Sequence, residues 1–228
     1  MTMKKILAIL FLLVFAAGCE KEDILLSERN LIEKYLADRK IYSESEVGSV
    51  IQDNPPFYQV FGRYAYRHIV NYYDNDRVHR RAIKLGDKVK LRFNAYIFNG
   101  KEPSTPAIYW SNVPSVIKDL GDRLFQQHTI NSLKWSTDPL IVKLGETEIL
   151  EGLELTLQDC YEGDSIQVYI SSNLAYGNKP VGVIPKNSMV AWYIKIMEIR
   201  PNIPGFGSEE IDPVVGSDFG KLTPPVSD

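Results

Sequence analysis

One stretch, Leu144–Ile199, limits what this chain can fold into more than any other. Gly152–Cys160 sets Leu153, Leu157 and Cys160 at helical spacing. Asp164–Ile170 alternates, with Ile166, Val168 and Ile170 on one face, as a half-buried strand does. Met189–Ile199 is rich in β-branched and aromatic residues and free of Gly and Pro, which suits an interior strand. The two strands are joined by Ala175-Tyr176-Gly177 and then Lys179–Pro185. A connector that carries an aromatic residue and ends in Val183-Ile184 has apolar side chains that need something to face.

Upstream, Lys88–Phe98 reads as a strand with Val89, Leu91, Phe93, Ala95 and Ile97 on one face, closed by the tight-turn dipeptide Asn99-Gly100. Lys101–Asp138 follows as an insertion with Pro103, Pro106 and Pro114 and a helical Val113–Leu120. Pro139–Leu144 is the short strand before the helix. Gly62–Tyr73 is an aromatic-rich strand, and Asp74-Asn75-Asp76 a turn. Arg77–Lys84, with His79, Arg80 and Arg81, is either a phosphate site or a solvated charged edge; the charged edge is the reading taken. Ser27 caps a helix running to about Lys40, whose stripe of Leu25, Leu31, Ile32, Tyr35 and Leu36 packs on the domain or on a partner. These elements define an α+β fold: a curved antiparallel sheet wrapped around a short helix, with an N-terminal helical extension and an insertion between strands.

The N-terminus reads as an address. Lys4 and Lys5 precede the apolar run Ile6–Ala17, which is shorter than the roughly 20 residues a spanning helix needs. Residues 1–18 are then a signal peptide. Ala16-Ala17-Gly18-Cys19 resembles a bacterial lipobox, after which Cys19 carries the lipid; an ordinary signal peptide with a chance Cys is the alternative. Residues 19–61 form the tether and helical extension, 62–200 the domain with its insertion at about 101–138, and 201–228 a mobile tail rich in Pro, Gly, Ser and acids. The expected location is the cell envelope, anchored to the outer membrane. Loss of residues 1–18 removes two lysines and no acid, making the chain more acidic than its full-length −3, which argues against a nucleic-acid partner. Cys160 alone cannot form an internal disulfide and reads as a small core residue.

The spaced motifs Ile149-Leu150-Glu151-Gly152-Leu153, Glu162-Gly163-Asp164, Ala175-Tyr176-Gly177, Gly182-Val183-Ile184-Pro185-Lys186 and Trp192 resemble, in order, those of the FKBP-type peptidyl-prolyl cis-trans isomerases, the macrolide-binding immunophilins. Lys88–Phe98 is similar to the family's first long strand, with Phe93 where the family has its pocket Tyr and Ala95 where it has Gly. The family's Phe-Asp pair is placed at Phe125-Gln126. The resemblance implies an isomerase of X-Pro bonds in envelope proteins, in a bacterial lipoprotein form. Its partners would be proline-containing segments and macrolide-type ligands, and its membrane attachment the N-terminal lipid. No cofactor is implied.

The chemistry fits these residue types. An X-Pro bond turns slowly because amide resonance sets a barrier of about 18–20 kcal/mol. A dry aromatic pocket that prefers the twisted imide lowers that barrier by differential binding, with no nucleophile or metal. The resemblance assigns the floor to Ile149, Leu150 and Leu153, the ring wall and a hydroxyl donor to Tyr176, the loop wall to Val183 and Ile184, and the back to Trp192 and Phe93. It makes the Ile149 amide and the Tyr176 hydroxyl donors to the ligand carbonyls, and gives Glu148 a backbone acceptor. Leu153 replaces a Trp, Phe93 a Tyr and Gln126 an acid, so weak activity is expected, with a non-catalytic peptide-binding module as the alternative. A purely structural surface protein, its pocket filled by its own insertion, is a third reading. His68, His79 and His128 are scattered, and no metal, hydrolase or phosphate-loop motif is present.

Overall fold

The structure is a computed structural model that describes residues 22–43, 45–46, 56–126, 135–147 and 149–202, with the side chains of 122–126 excepted. Cys19, Glu148, the signal peptide, residues 203–228 of the tail, and the side chains of Phe125 and Gln126 lie outside the described residues. Among the described residues, no helix is long and apolar enough to cross a membrane.

Helix α1 covers 22–35. The strands are β1 (Lys40–Ser43), β2 (Phe57–Phe61), β3 (Ala65–Ile69), β4 (Lys88–Phe98) and β5 (Ile108–Ser111). Helix α2 (Pro114–Gln126), β6 (Leu140–Lys143), α3 (Glu151–Leu157), β7 (Ser165–Ile170) and β8 (Met189–Arg200) follow. The strands form one sheet in the order β1-β2-β3-β7-β8-β4-β5, with β6 also paired to β4. All pairings are antiparallel except β1 with β2, so the sheet is mixed and open. The fold is α+β, as the residue patterns indicate, though the parallel β1–β2 pair departs from the wholly antiparallel sheet expected.

Period-2 alternation decides the faces. On β4, Val89, Leu91, Phe93 and Ala95 point to α3, and Phe98 to the opposite face. On β8, Val190, Trp192, Ile194 and Ile196 point to α3. Opposite Lys90 and Leu91 the pairing jumps from Glu198 to Ile196, so Met197 is bulged; this returns Ile199 to the α3 face. Helix α3 lies close on the sheet because Gly152 has no side chain: a Cβ there would sit 2.4 Å from Ile170 Cγ2. Helix α1 covers the other face, where Ile32 and Leu36 pack with Tyr58, Tyr66, Phe98 and Tyr169. Its Leu31 lies over Gly100, where a Cβ would come within 2.7 Å of Leu31 Cγ and where φ is +80°.

Several local readings change. Helix α1 already includes residue 22, so Ser27 is an exposed interior residue and not a cap, and Lys40–Ser43 is a strand. The aromatic stretch 62–73 is not one strand, because Gly62 and Arg63 take left-handed backbone and turn β2 into β3. Helix α3 stops at Leu157, and Arg67 donates to the freed carbonyls of Thr156 (2.7 Å) and Gln158 (2.5 Å). Cys160 is nevertheless core, and burial pushes its thiol pKa up. Arg77 is no solvated edge: it is buried, donates to both Asp164 oxygens at 2.9 and 2.8 Å, and stacks on Tyr72 and Tyr161. The segment 101–138 supplies strand β5 to the sheet as well as helix α2.

Candidate active site

The site is built over Ala95. This residue is opposite Trp110 on β5 and opposite Trp192 on β8, so both indoles project on the same face as its methyl group. A small residue there leaves room for the two rings, whose centroids lie 5.8 Å apart. Phe93, two residues along β4, completes the group at 4.7 Å from Trp192 and 4.8 Å from Trp110. Edge-on and tilted contacts at these distances are those aromatic quadrupoles favour.

Tyr176 enters from the connector between β7 and β8. The 3-10 turn Ser172–Leu174 ends β7, and the Gly177 N–H closes back on the Ser172 carbonyl at 2.7 Å. Gly177 takes φ +72°, which lets the chain reverse beside Tyr176. The Tyr176 ring stands edge-on to Tyr109, with centroids 6.0 Å apart and hydroxyls 3.4 Å apart. Tyr109 in turn meets Trp192 at 6.3 Å. Burial pushes the pKa of both tyrosines up, so both hydroxyls remain protonated, as donors must, far above neutral pH.

The helix start supplies the floor. The Leu150 carbonyl accepts the N–H groups of Leu153 and Glu154 at 2.9 and 3.0 Å, which opens α3. Leu150 and Leu153 are buried in the same cluster as Phe93 and Trp192, and Ile149 packs half-buried against it. The loop wall divides. Val181 and Ile184 exchange two 2.9 Å backbone hydrogen bonds around Gly182-Val183. Ile184 is 0% exposed and belongs to the core, while Val183 at the turn tip is 71% exposed.

The structure thus gathers Phe93, Leu150, Leu153, Ile184 and Trp192 in one cluster, with Ile149 and Tyr176 packed on it. Val183 stands out into solvent at its rim. Glu148, and the side chains of Phe125 and Gln126, lie outside the described residues. Tyr109 and Trp110 were missed. Their signal was the short alternation Ile108–Ser111, masked by Pro103, Pro106 and Pro114 around it. Asn112 pins this strand: its amide group receives the Phe93 N–H at 2.7 Å and donates to the Leu91 carbonyl at 2.9 Å. Among the described residues no His, Cys, Asp and Glu cluster is placed to hold a metal ion.

Comparison with known proteins agrees with this geometry. Residues 119–197 match the family model described as FKBP-type peptidyl-prolyl cis-trans isomerase. FK506-binding protein 4 of Chaetomium thermophilum is 27% identical over 120 residues, which are 53% of this chain and 19% of that protein. FK506-binding protein 4 of Neurospora crassa is 26% identical over 120 residues, 53% of this chain and 20% of that protein. FK506-binding protein 1 of Aspergillus oryzae is 22% identical over 116 residues, 50% of this chain and 84% of that protein. The chain spans about a fifth of the length of the first two. Family match and fold together support an FKBP-type isomerase domain.

Proposed function

We propose that the protein is a peptidyl-prolyl cis-trans isomerase acting on X-Pro bonds of envelope proteins, weakly, and held at the outer membrane by lipid on Cys19. One observation carries the isomerase reading. The family-matched segment contains Tyr176 and Trp192, and these two meet Phe93 and Tyr109 in a single aromatic group under the half-buried Ile149. In this reading the proline ring lies on that group, with Val183 at the rim touching the residues beside it. The Tyr176 hydroxyl and the Ile149 amide donate to the substrate carbonyls, and the Glu148 backbone accepts. Rotation about the imide uncouples nitrogen from carbonyl, and an apolar wall stabilises the less resonant, twisted form more than either planar isomer. Macrolide-type ligands of the kind named for the relatives would occupy the same place.

Weakness follows from composition. Leu153 and Phe93 stand where the family pattern has Trp and Tyr, and Gln126 where the resemblance places its Asp. The same departures motivate the second reading, a peptide-binding module that holds X-Pro segments without turning them over.

Protease-free isomerisation of a labelled X-Pro peptide, alongside calorimetric binding, separates the readings. Measurable catalysis above the spontaneous rate is expected, reduced about tenfold or more in Tyr176→Ala, which loses wall and donor together. Binding without catalysis would favour the module, and neither would leave a structural role. An unchanged rate in Tyr176→Ala would place the site elsewhere. Membrane attachment is checked separately: Cys19→Ala should move the protein to the soluble fraction, and retention on membranes would refute the lipid anchor.

A further inference from the structure

Helix α1 reaches the Tyr176 loop through one buried carboxylate. Glu28, Ile32 and Leu36 follow at intervals of four residues, and all are buried. An apolar residue at 28 would complete that stripe. Instead Glu28, 7% exposed, directs Oε2 at the backbone N–H of Ser172, 2.9 Å away and on the far side of the chain in sequence. Oε1 has no partner among the described residues, and burial raises the carboxyl pKa against the effect of the Ser172 hydrogen bond. Ile32 and Leu36 pack α1 on the sheet, whereas the Glu28 carboxylate reaches the loop.

Ser172 opens the turn that leads to Tyr176. Its carbonyl accepts the N–H groups of Ala175 at 3.1 Å and Gly177 at 2.7 Å. The Gly177 carbonyl accepts the Asn187 N–H at 2.9 Å, on the far arm of the loop just before β8. Hydrogen bonds therefore run from Glu28 through Ser172 and Gly177 to Asn187, bracketing Tyr176 on both sides.

We propose that Glu28 is a positioning residue: by holding the Ser172 amide, the N-terminal helix sets where Tyr176 stands against Tyr109 and Trp192, and so belongs to the isomerase unit. The proposal rests on the isomerase reading above for its effect on rate, and on the hydrogen-bond path alone for its effect on the loop.

The test uses the full chain with Glu28→Gln, Glu28→Leu, Ser172→Pro and the double variant Glu28→Leu/Ser172→Pro. Proline at 172 removes the N–H that Glu28 accepts and leaves the α1 sequence intact, while its Cδ, standing in place of that hydrogen, displaces the Glu28 carboxylate. It suits the first position of the turn, and Ser171, at φ −69° and ψ 157°, has the extended backbone a residue before proline requires. The measurements are kcat/KM on an X-Pro peptide, amide exchange at Ala175 and Gly177, and Tm. Glu28→Leu should lower kcat/KM about tenfold and speed exchange at Gly177 about tenfold with Tm retained. Glu28→Gln, which keeps an acceptor oxygen, should stay within about threefold of wild type. Ser172→Pro should match Glu28→Leu in rate, and the double variant should lose no more than either alone. Unchanged Gly177 exchange in a folded Glu28→Leu overturns the proposal, as do additive losses in the double variant. If Glu28→Leu fails to fold, Glu28→Ala, which is smaller and equally without an acceptor, decides by rate and by Gly177 exchange. A wild-type protein without isomerase activity refutes the isomerase reading, while Gly177 exchange still decides whether Glu28 holds the loop.

Discussion

The two faces of the sheet are held by different chemistry. Under α3 lies an apolar face of Val, Leu, Ile and aromatic residues, where the polar Thr156 bonds back to its own helix at Gly152 and Leu153. Under α1 the face is tyrosine-rich. Tyr169 bonds Tyr193 at 3.0 Å and Tyr35 at 3.4 Å, Tyr66 bonds Glu33 at 2.9 Å, Tyr58 bonds Gln167 at 3.1 Å, and Tyr35 donates to Glu102. The first face depends mainly on shape and volume, with Arg67 at the end of α3 and the Tyr109–Tyr176 pair among its polar members. The second depends as well on each hydroxyl keeping its proton, because burial leaves a phenolate nowhere to be solvated.

The largest expected effect is on the α3 face. Leu157 is fully buried there, and Leu157→Ala should cost about 2–5 kcal/mol, the range for a core leucine, measured by denaturant unfolding. A cost below about 1 kcal/mol would mean that α3 is not the centre of the apolar face.

Alkali should act on the α1 face next. Burial is the first cause raising the pKa of Tyr58, to about 12, and it also raises those of Tyr35, Tyr66, Tyr96, Tyr169 and Tyr193. An unfolded tyrosine loses its proton near pH 10. Between that pH and the folded pKa the unfolded chain binds fewer protons than the native one, so stability falls as pH rises. Full stability should therefore hold below about pH 10 and decline towards pH 12, by about 2–3 kcal/mol from Tyr58 alone. A flat profile between these limits would mean that the hydroxyls reach solvent.

The smallest effect isolates one hydroxyl. Tyr169→Phe keeps the ring and removes the group that joins Tyr35 to Tyr193, and should cost about 0.5–1.5 kcal/mol while softening the alkaline decline. A neutral result at pH 7 together with an unchanged slope would reduce the α1 face to the same apolar packing as its opposite.

This contrast also explains what could be read from the residues alone. Strands β4, β7 and β8 were legible because Phe93, Val168 and Trp192 belong to period-2 patterns with several members. Helix α3 and the aromatic identity of the Tyr176 loop were legible for the same reason: local spacing carries them. Strand β5 was not, since four residues between prolines give too short a pattern, and the site lost Tyr109 and Trp110 with it. Arg77 and Glu28 were not legible because their surroundings are distant in the chain. Each looks like a surface charge until Asp164 and Ser172, from the other end of the domain, are brought against it. The tyrosine face hid in the same way: an α1 stripe of Ile32 and Leu36 announces burial but not the hydroxyl partners across from it.

The position of β8 bears on how the chain acquires its structure. Strand β8, the last among the described residues, lies between β7 and β4, pairing Ile166 with Ile194 on one side and Phe98 with Met189 on the other. Strands β4, β5 and β6 can assemble early from nearby sequence, and so can the β2–β3 hairpin. The two groups share no ladder until β8 is inserted between them. Closing that long loop has an entropic cost before any of its contacts form, so the rate-limiting event in folding is expected to be docking of the final strand. A chain still emerging from its ribosome, or crossing a membrane from its N-terminus, would carry two unjoined half-sheets with open edges until residue 200 is free. During that interval it would itself be a client for a chaperone.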